Sequence, residues 1–427
     1  MKAAFYTLGC KVNQYETRLM AESLKKAGFE IVDCDTDADV YIINSCTVTA
    51  VSNQKTRQSL RAFKRKHPQS ITVLAGCMSQ AYPEEAKQLE EADIIIGNTE
   101  HKHLATLIEK KLAENARIFA VDAHENKEVF ESGIITSFGD KTRAEVKIED
   151  GCNRFCTYCA IPYARGRVRS KPLADIKNEI TALAQNGYQE IVLVGINLSA
   201  YNDNGANIAD AVTITAAVPG IARVRLGSLE PDHITDDIIT RLQKEEKFCP
   251  QFHISLQSGC DNTLKAMNRH YTAAEYRTLC EKLRAAFPDC TLTTDVMTGF
   301  PGESEADFEA SLRFVKDIGF EKLHVFPYSI REGTKAATMP EQLPKAVKTA
   351  RAKKMIALGD SIRNAFFDTQ IGKEYEVLFE TKKDGFNIGH TKNYIPVKVE
   401  IESNLHNKIQ TVHITAHNGE YCIGEIV

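Results

Sequence analysis

The chain has 427 residues, of which 43% are hydrophobic and 26% charged, the balance of a folded globular protein and not of a disordered one. That length exceeds one core, so about two to four domains are expected. A net charge of −4 gives no global pull toward nucleic acid, so any RNA contact must come from local basic patches. No apolar run approaches the roughly 20 residues of a bilayer-spanning helix. Met1–Cys10 reads as a first buried strand and not as a signal core, so a cytoplasmic location is expected. In such a reducing compartment, twelve cysteines point to metal binding or chemistry more than to disulfides.

Residues 1–112 alternate β-branched runs with helical stretches. Strands are predicted at Lys2–Leu8, Val40–Asn44, Ile71–Ala75 and Asp93–Ile96, and helices near Glu16–Ala27, Gln54–Lys66, Pro83–Glu91 and Leu104–Asn115. This alternation predicts a parallel α/β sheet in a domain spanning 1–115. Cys10, Cys46 and Cys77 follow three of the strands, where ligands of open α/β sheets gather. Residues 116–137 read as a linker.

A second alternating series fills 138–366, with strands at Ala144–Ile148, Glu190–Val194, Arg223–Leu226, Phe252–Leu256, Leu292–Val296 and Lys322–Val325. Helices at Leu173–Asn186, Thr235–Lys244, Ala273–Ala286 and Glu305–Ile318 fall between them. A full eight-stranded barrel takes about 250 residues, so six units predict a partial, open (β/α)6 barrel with its chemistry at the carboxyl ends of the strands. After a basic helical stretch, Pro344–Gln370, residues 370–427 change to short alternating strands with turns at Lys383-Asp384-Gly385 and Asn418-Gly419, a small β-barrel.

The strongest chemical signal is Cys152-Asn153-Arg154-Phe155-Cys156-Thr157-Tyr158-Cys159. Three thiolates on so tight a loop can hold three irons of a [4Fe–4S] cubane and leave the fourth open. A structural zinc site takes four closed ligands, and the next cysteine is Cys249. Cys10, Cys46 and Cys77 form a second set. Each alone reads as a buried core residue, while three at equivalent strand ends read as a second three-ligand site. The other six cysteines show no ligand spacing.

The Cys152 loop resembles the C-x3-C-x-aromatic-C signature of the radical S-adenosylmethionine (SAM) superfamily. Phe5–Thr17 with Cys46 and Cys77, Gly151–Ser170, His253–Cys260 and Gly299–Glu303 are similar to the methylthiotransferase family, and the terminal segment resembles its RNA-binding TRAM barrel. Lys11–Glu16 and Met267–Tyr271 look most like the branch acting on N6-threonylcarbamoyladenosine of tRNA. The resemblance implies two [4Fe–4S] clusters, on Cys10, Cys46 and Cys77 and on Cys152, Cys156 and Cys159, with SAM as methyl donor and radical source. It also implies a tRNA substrate and an electron donor such as flavodoxin or ferredoxin; a monomer with no membrane contact is expected. Tyr158 takes the aromatic position beside the cofactor's adenine.

Asn197, Ser228, Glu230 and Gln257 follow later strands and are candidates for cofactor contact, with helix capping or loop orientation as the competing roles. Arg165, Arg167 and Arg169 follow the thiol loop and are candidates for RNA phosphate. From Gln370 to Val427 there are six Lys and Arg against eight Asp and Glu. That acidity leaves a ribosomal-protein side chain open as the alternative substrate, beside N6-isopentenyladenosine in tRNA.

Overall fold

The first sheet grows from runs such as Val40–Ser45 and Ile71–Gly76, buried at every position. Such continuous apolar runs belong to parallel strands covered on both faces. In the computed structural model, which describes residues 1–125 and 128–427, six parallel strands lie in the order β2-β1-β3-β4-β5-β6. These are β1 (Lys2–Thr7), β2 (Glu30–Val32), β3 (Val40–Ser45), β4 (Ile71–Gly76), β5 (Ile94–Ile96) and β6 (Ile118–Ala120). β6 lies inside the stretch read as a linker: Ile118 pairs with Ile94 and completes the sheet edge. The first helix runs Lys11–Lys26, five residues earlier than its pattern suggested, because extended Cys10 takes the N-cap place. The helix at Pro83 stops at Lys87.

The second series forms the expected partial barrel. Its strands are β7 (Arg143–Lys147), β8 (Glu149–Asp150), β9 (Arg169–Ser170), β10 (Glu190–Val194), β11 (Arg223–Leu226), β12 (Ser228–Leu229), β13 (Gln251–Ile254), β14 (Thr291–Thr298) and β15 (Lys322–Pro327). The wall runs β7-β10-β11 and then β12-β13-β14-β15. Gly227 separates β11 from β12, so one strand position turns from β10 toward β13. Helices Leu173–Gln185, Ala273–Ala286 and Glu305–Ile318 cover the outside, the last two opened by capping boxes at Thr272 and Ser304. A further helix, Ile208–Ala216, has no counterpart in the sequence reading.

Side chains alternate across each strand. Ala144, Val146, Ile191, Leu193, Val224 and Leu226 pack into the core under the helices. Arg143, Glu145, Lys147, Glu190 and Arg225 therefore face the concave side. Full barrels fill that side with branched apolar residues; here it is polar.

The helix Lys345–Asp368 leads into β16 (Glu374–Lys383), β17 (Phe386–Thr391), β18 (Pro396–Glu400), β19 (Ile409–His417) and β20 (Cys422–Ile426), a closed barrel in the order β16-β17-β18-β20-β19. It docks against the amino ends of the partial-barrel strands. Arg223 donates to the carbonyls of His390 at 3.1 Å and Glu376 at 2.9 Å, and Thr291 donates to that of Asn393 at 2.6 Å. Arg143 pairs with Glu380 at 2.9 Å. The terminal barrel thus forms a floor at the end opposite the Cys152 loop. Among the described residues no helix is long and apolar enough to cross a membrane.

Two three-thiol sites across a buried ion-pair seam

Cys10, Cys46 and Cys77 stand just past β1, β3 and β4, which are neighbours in the sheet, so the three thiols share one edge. Gly9 (φ +108°) makes the approach possible: a Cβ there would lie 2.8 Å from Cys46 Cβ. The Asn13 side-chain oxygen lies 3.4 Å from Cys10 Sγ and 4.0 Å from Cys77 Sγ, while its amide donates to the Ser45 carbonyl at 2.8 Å. Cys46 and Cys77 are buried and Cys10 is exposed. Burial pushes the Cys77 thiol up to about 12, with Arg165 pulling it back. Metal binding here must displace that proton.

Cys152, Cys156 and Cys159 follow β8 on a pinned loop. Gly151 has φ +86°, and a Cβ on it would lie 2.5 Å from the Arg167 carbonyl carbon. Cys152 N–H donates to Gly166 at 3.0 Å and Thr157 N–H to Met267 at 3.0 Å. Burial raises Cys152 and Cys159 to about 12. Arg269 donates to Cys156 Sγ at 3.3 Å and pairs with Glu230 at 2.5 Å. Cys156 and Cys159 line a cavity of about 170 Å³ with Phe155, Tyr163, Asn268 and Lys335. Tyr158 sits behind the loop, edge-on to Phe300.

The two sites meet at a buried seam. Arg165, at the end of helix Ile161–Arg165, is wholly buried. It donates to Cys77 Sγ at 3.2 Å, to Asn13 Oδ1 at 3.0 Å and to Glu16 Oε2 at 2.9 Å. Lys147 bridges Glu16 at 2.7 Å and Asp150 at 2.6 Å. Burial drives the Glu16 carboxyl upward, but Arg165 and Lys147 outweigh it and hold it down at about 2. Asp150, two residues before Cys152, is likewise held below the usual carboxylate range against its burial, by Lys147, Arg165 and Arg169.

This corrects the RNA assignment for two arginines. Arg165 cannot reach phosphate, because its guanidinium is enclosed between carboxylates and a thiol. Arg169 is almost enclosed and committed to Glu128 at 3.1 Å and Asp150 at 3.3 Å. A basic run in sequence reads as a solvated face; its acidic partners come from other elements. Arg167 alone is exposed, 4.8 Å over the Phe155 ring.

The candidates for cofactor contact divide. Glu149 Oε1, Asn197 Oδ1 and Gln257 Oε1 are buried at the strand ends without a hydrogen-bond partner among the described residues, as expected where a polar ligand supplies the donors. Glu149 Oε2 accepts from Asn197 N–H at 2.7 Å, and burial holds the Glu149 carboxyl well above its usual range. Glu230 is engaged by Arg269, and Ser228 is exposed. Among the described residues no three His, Cys, Asp or Glu side chains close around a single metal ion. A cubane gives each thiolate its own iron, and an all-thiol donor set suits iron–sulfur ligation. Sequence reasoning missed Asn13, Glu16, Glu149, Asp150 and Arg269. The signals were present in the acidic pair ahead of Gly151-Cys152 and in Asn13 and Glu16, one turn apart on the helix after Cys10.

Two family models match the chain: the radical SAM superfamily over residues 146–315 and uncharacterized protein family UPF0004 over residues 2–97. The threonylcarbamoyladenosine tRNA methylthiotransferase MtaB of Bacillus subtilis is 36% identical over 99% of this chain and 96% of its own length. The enzyme of that name from Aquifex aeolicus is 38% identical, covering 94% of this chain and 97% of its own. The radical SAM methyltransferase TsrM from Kitasatospora setae, solved with cobalamin and a [4Fe–4S] cluster, shares the fold at a TM-score of 0.58 and 14% identity, over 79% of this chain and 74% of its own. Open barrel, cysteine loop and matched span together define the class, that of radical SAM enzymes. Within that class the chain belongs to the methylthiotransferase family.

Proposed function

We propose that the chain methylthiolates carbon-2 of N6-threonylcarbamoyladenosine in the anticodon loop of tRNA. The observation that carries this reading is the pair of three-thiol sets joined through one buried ion-pair seam. It stands in a chain that parallels the threonylcarbamoyladenosine enzymes almost end to end. When bound, a [4Fe–4S] cluster on Cys152, Cys156 and Cys159 supplies, with SAM, a carbon-centred radical, and one on Cys10, Cys46 and Cys77 carries the sulfur that a second SAM methylates. Radical chemistry suits carbon-2, which is neither nucleophilic nor acidic enough for polar substitution.

The chain's own residues bind, orient and exclude water. Arg165 and Arg269 each direct an N–H at one cysteine sulfur, which fixes the rotamer. The orphaned Asn197 Oδ1 and Gln257 Oε1 accept from SAM, protonated Glu149 offers it a hydroxyl, and Gly195 leaves room: a Cβ there would sit 2.6 Å from Glu149 Oε2. Tyr158 backs the adenine. Arg167, over Phe155, meets the RNA backbone at the rim. The reading further holds that the chain has three domains, the first extended past residue 115 to take in β6 at Ile118–Ala120, the others 138–366 and 370–427, in a cytoplasmic monomer reduced by flavodoxin or ferredoxin.

The test is mass spectrometry of tRNA nucleosides from a deletion strain. Loss of 2-methylthio-N6-threonylcarbamoyladenosine, restored by the gene, supports the proposal. Undiminished product in a strain with no redundant enzyme refutes it. Anaerobic reconstitution adds a second check, with about eight irons per chain expected for two cubanes.

A further inference from the structure

The concave face of the partial barrel carries paired charges with one exception. Arg143 is taken by Glu380 at 2.9 Å, Arg225 by Glu190 at 2.9 Å, and Lys147 by Glu16 and Asp150. Glu145 is engaged by Lys141 at 3.2 Å. Lys11 has no ion pair among the described residues. It opens the helix that follows Cys10, and its neighbour Val12 packs on Val192 and Val194 of β10 and on Ile196. Those two β10 residues alternate with core-facing Ile191 and Leu193, so the helix start lies inside the mouth of the barrel. Lys11 is exposed, yet its electrostatic neighbours are Tyr394, Glu145, Arg143 and Arg225. It therefore faces a chamber between the concave wall and the terminal barrel that is open to solvent.

A second cation lies beneath this chamber. The terminal nitrogens of Arg225, a residue that is 1% exposed, are buried without a hydrogen-bond partner among the described residues. They lie against the ring of Tyr394, whose centroid is 4.6 Å from the guanidinium carbon. Tyr394 comes from the terminal barrel, so the chamber has a floor with surplus positive charge above it.

We infer that Lys11 reads the carboxylate of the threonylcarbamoyl group and thereby decides which modified adenosine is accepted. This rests on the methylthiotransferase reading. Carbon-2 and N6 flank N1 on one edge of adenine, so a base that offers carbon-2 to the thiols brings its N6 substituent to the same place. Lys11 is the residue next to Cys10. A carboxylate there meets an ammonium with no ion-pair partner among the described residues, and a charge-assisted hydrogen bond forms. A neutral N6 substituent leaves that ammonium without a partner and is rejected.

The experiment uses reconstituted full-length enzyme and two tRNAs that differ only at the side chain, one with the free threonyl carboxylate and one with it capped as the carboxamide. The wild type loses about tenfold or more in kcat/KM on the capped tRNA, chiefly through KM. Lys11→Gln loses a similar factor on the acid and becomes indifferent to the cap, with iron content and visible absorption unchanged. Lys11→Arg keeps the preference for the acid. Equal use of both tRNAs by the wild type overturns the inference even if the variant misfolds, as does an equal penalty of Lys11→Gln on both. If the wild type cleaves SAM and converts neither tRNA, the substrate reading falls and takes this inference with it.

Discussion

Cys152, Cys156 and Cys159 lie on one eight-residue loop, whereas Cys10, Cys46 and Cys77 are carried by three neighbouring strands of a sheet. Both sets place one thiol under an arginine N–H, Cys156 under Arg269 at 3.3 Å and Cys77 under Arg165 at 3.2 Å. Arg269 belongs to the same barrel as its loop. Arg165 reaches across the seam from the barrel into the other site. The loop is thus a local device that needs its glycine and a few backbone bonds, while the strand-borne set depends on tertiary packing and on a cation lent by the other half of the chain. Local sites tolerate distant damage; assembled ones inherit it.

The largest expected effects come from the thiols. Replacing Cys152, Cys156 and Cys159 by Ser removes about half of the iron and abolishes 5′-deoxyadenosine formation. Replacing Cys10, Cys46 and Cys77 removes the other half, keeps SAM cleavage and stops sulfur insertion. If the Cys10, Cys46 and Cys77 variant also lost SAM cleavage, the division of labour would be wrong.

Arg165→Gln comes next. It takes the guanidinium off Glu16, leaving Lys147 as that carboxylate's cation and Lys147 with Arg169 on Asp150; weakening such a buried network costs about 3 kcal/mol, read from the urea midpoint. Arg269→Gln costs less, because Glu230 keeps 18% of its side chain exposed. Equal losses would show that crossing the seam carries no special weight.

Acid probes the same contrast more gently. The Glu16 carboxyl falls from 4.5 to about 2 in the fold. Its contribution is complete above 4.5 and fades as pH drops toward 2. Thermal melts across that window should show a steeper decline for the wild type than for Arg165→Gln. The smallest effect is expected of Gly76→Ala, at φ +93° with a Cβ 2.6 Å from the Ser45 carbonyl. Strain of about 1–3 kcal/mol should loosen the Cys77 site. Iron at the Cys152 loop, assayed separately, should be untouched.

The sequence disclosed the loop readily because every ligand is within reach of one motif. The strand-borne set was legible through its rhythm, one cysteine after each of three strands, and the parallel sheet followed from the alternation of runs such as Val40–Asn44 with helical stretches. Arg165 was misread for a physical reason: Glu16 and Asp150 lie 149 and 15 residues away, and nothing in a basic run shows which members fold inward. Ile118–Ala120 was lost as a strand because three residues are too short for a period. The terminal module was legible as a set of short alternating strands closed by two turns. β17 and β20, with glycine at 389 and 424 and a weak alternation, were invisible.

The reach of Arg165 also governs timing. The six-stranded sheet is finished at residue 120, so it can close while the ribosome is still adding the barrel. Its thiol pocket, however, keeps an uncompensated Glu16 until residues 147 and 165 have emerged and folded over it. On the proposed assignment, loading of iron into that pocket should be a late event in the protein's biogenesis, and an amino-terminal fragment expressed alone should fold as a sheet without a competent pocket.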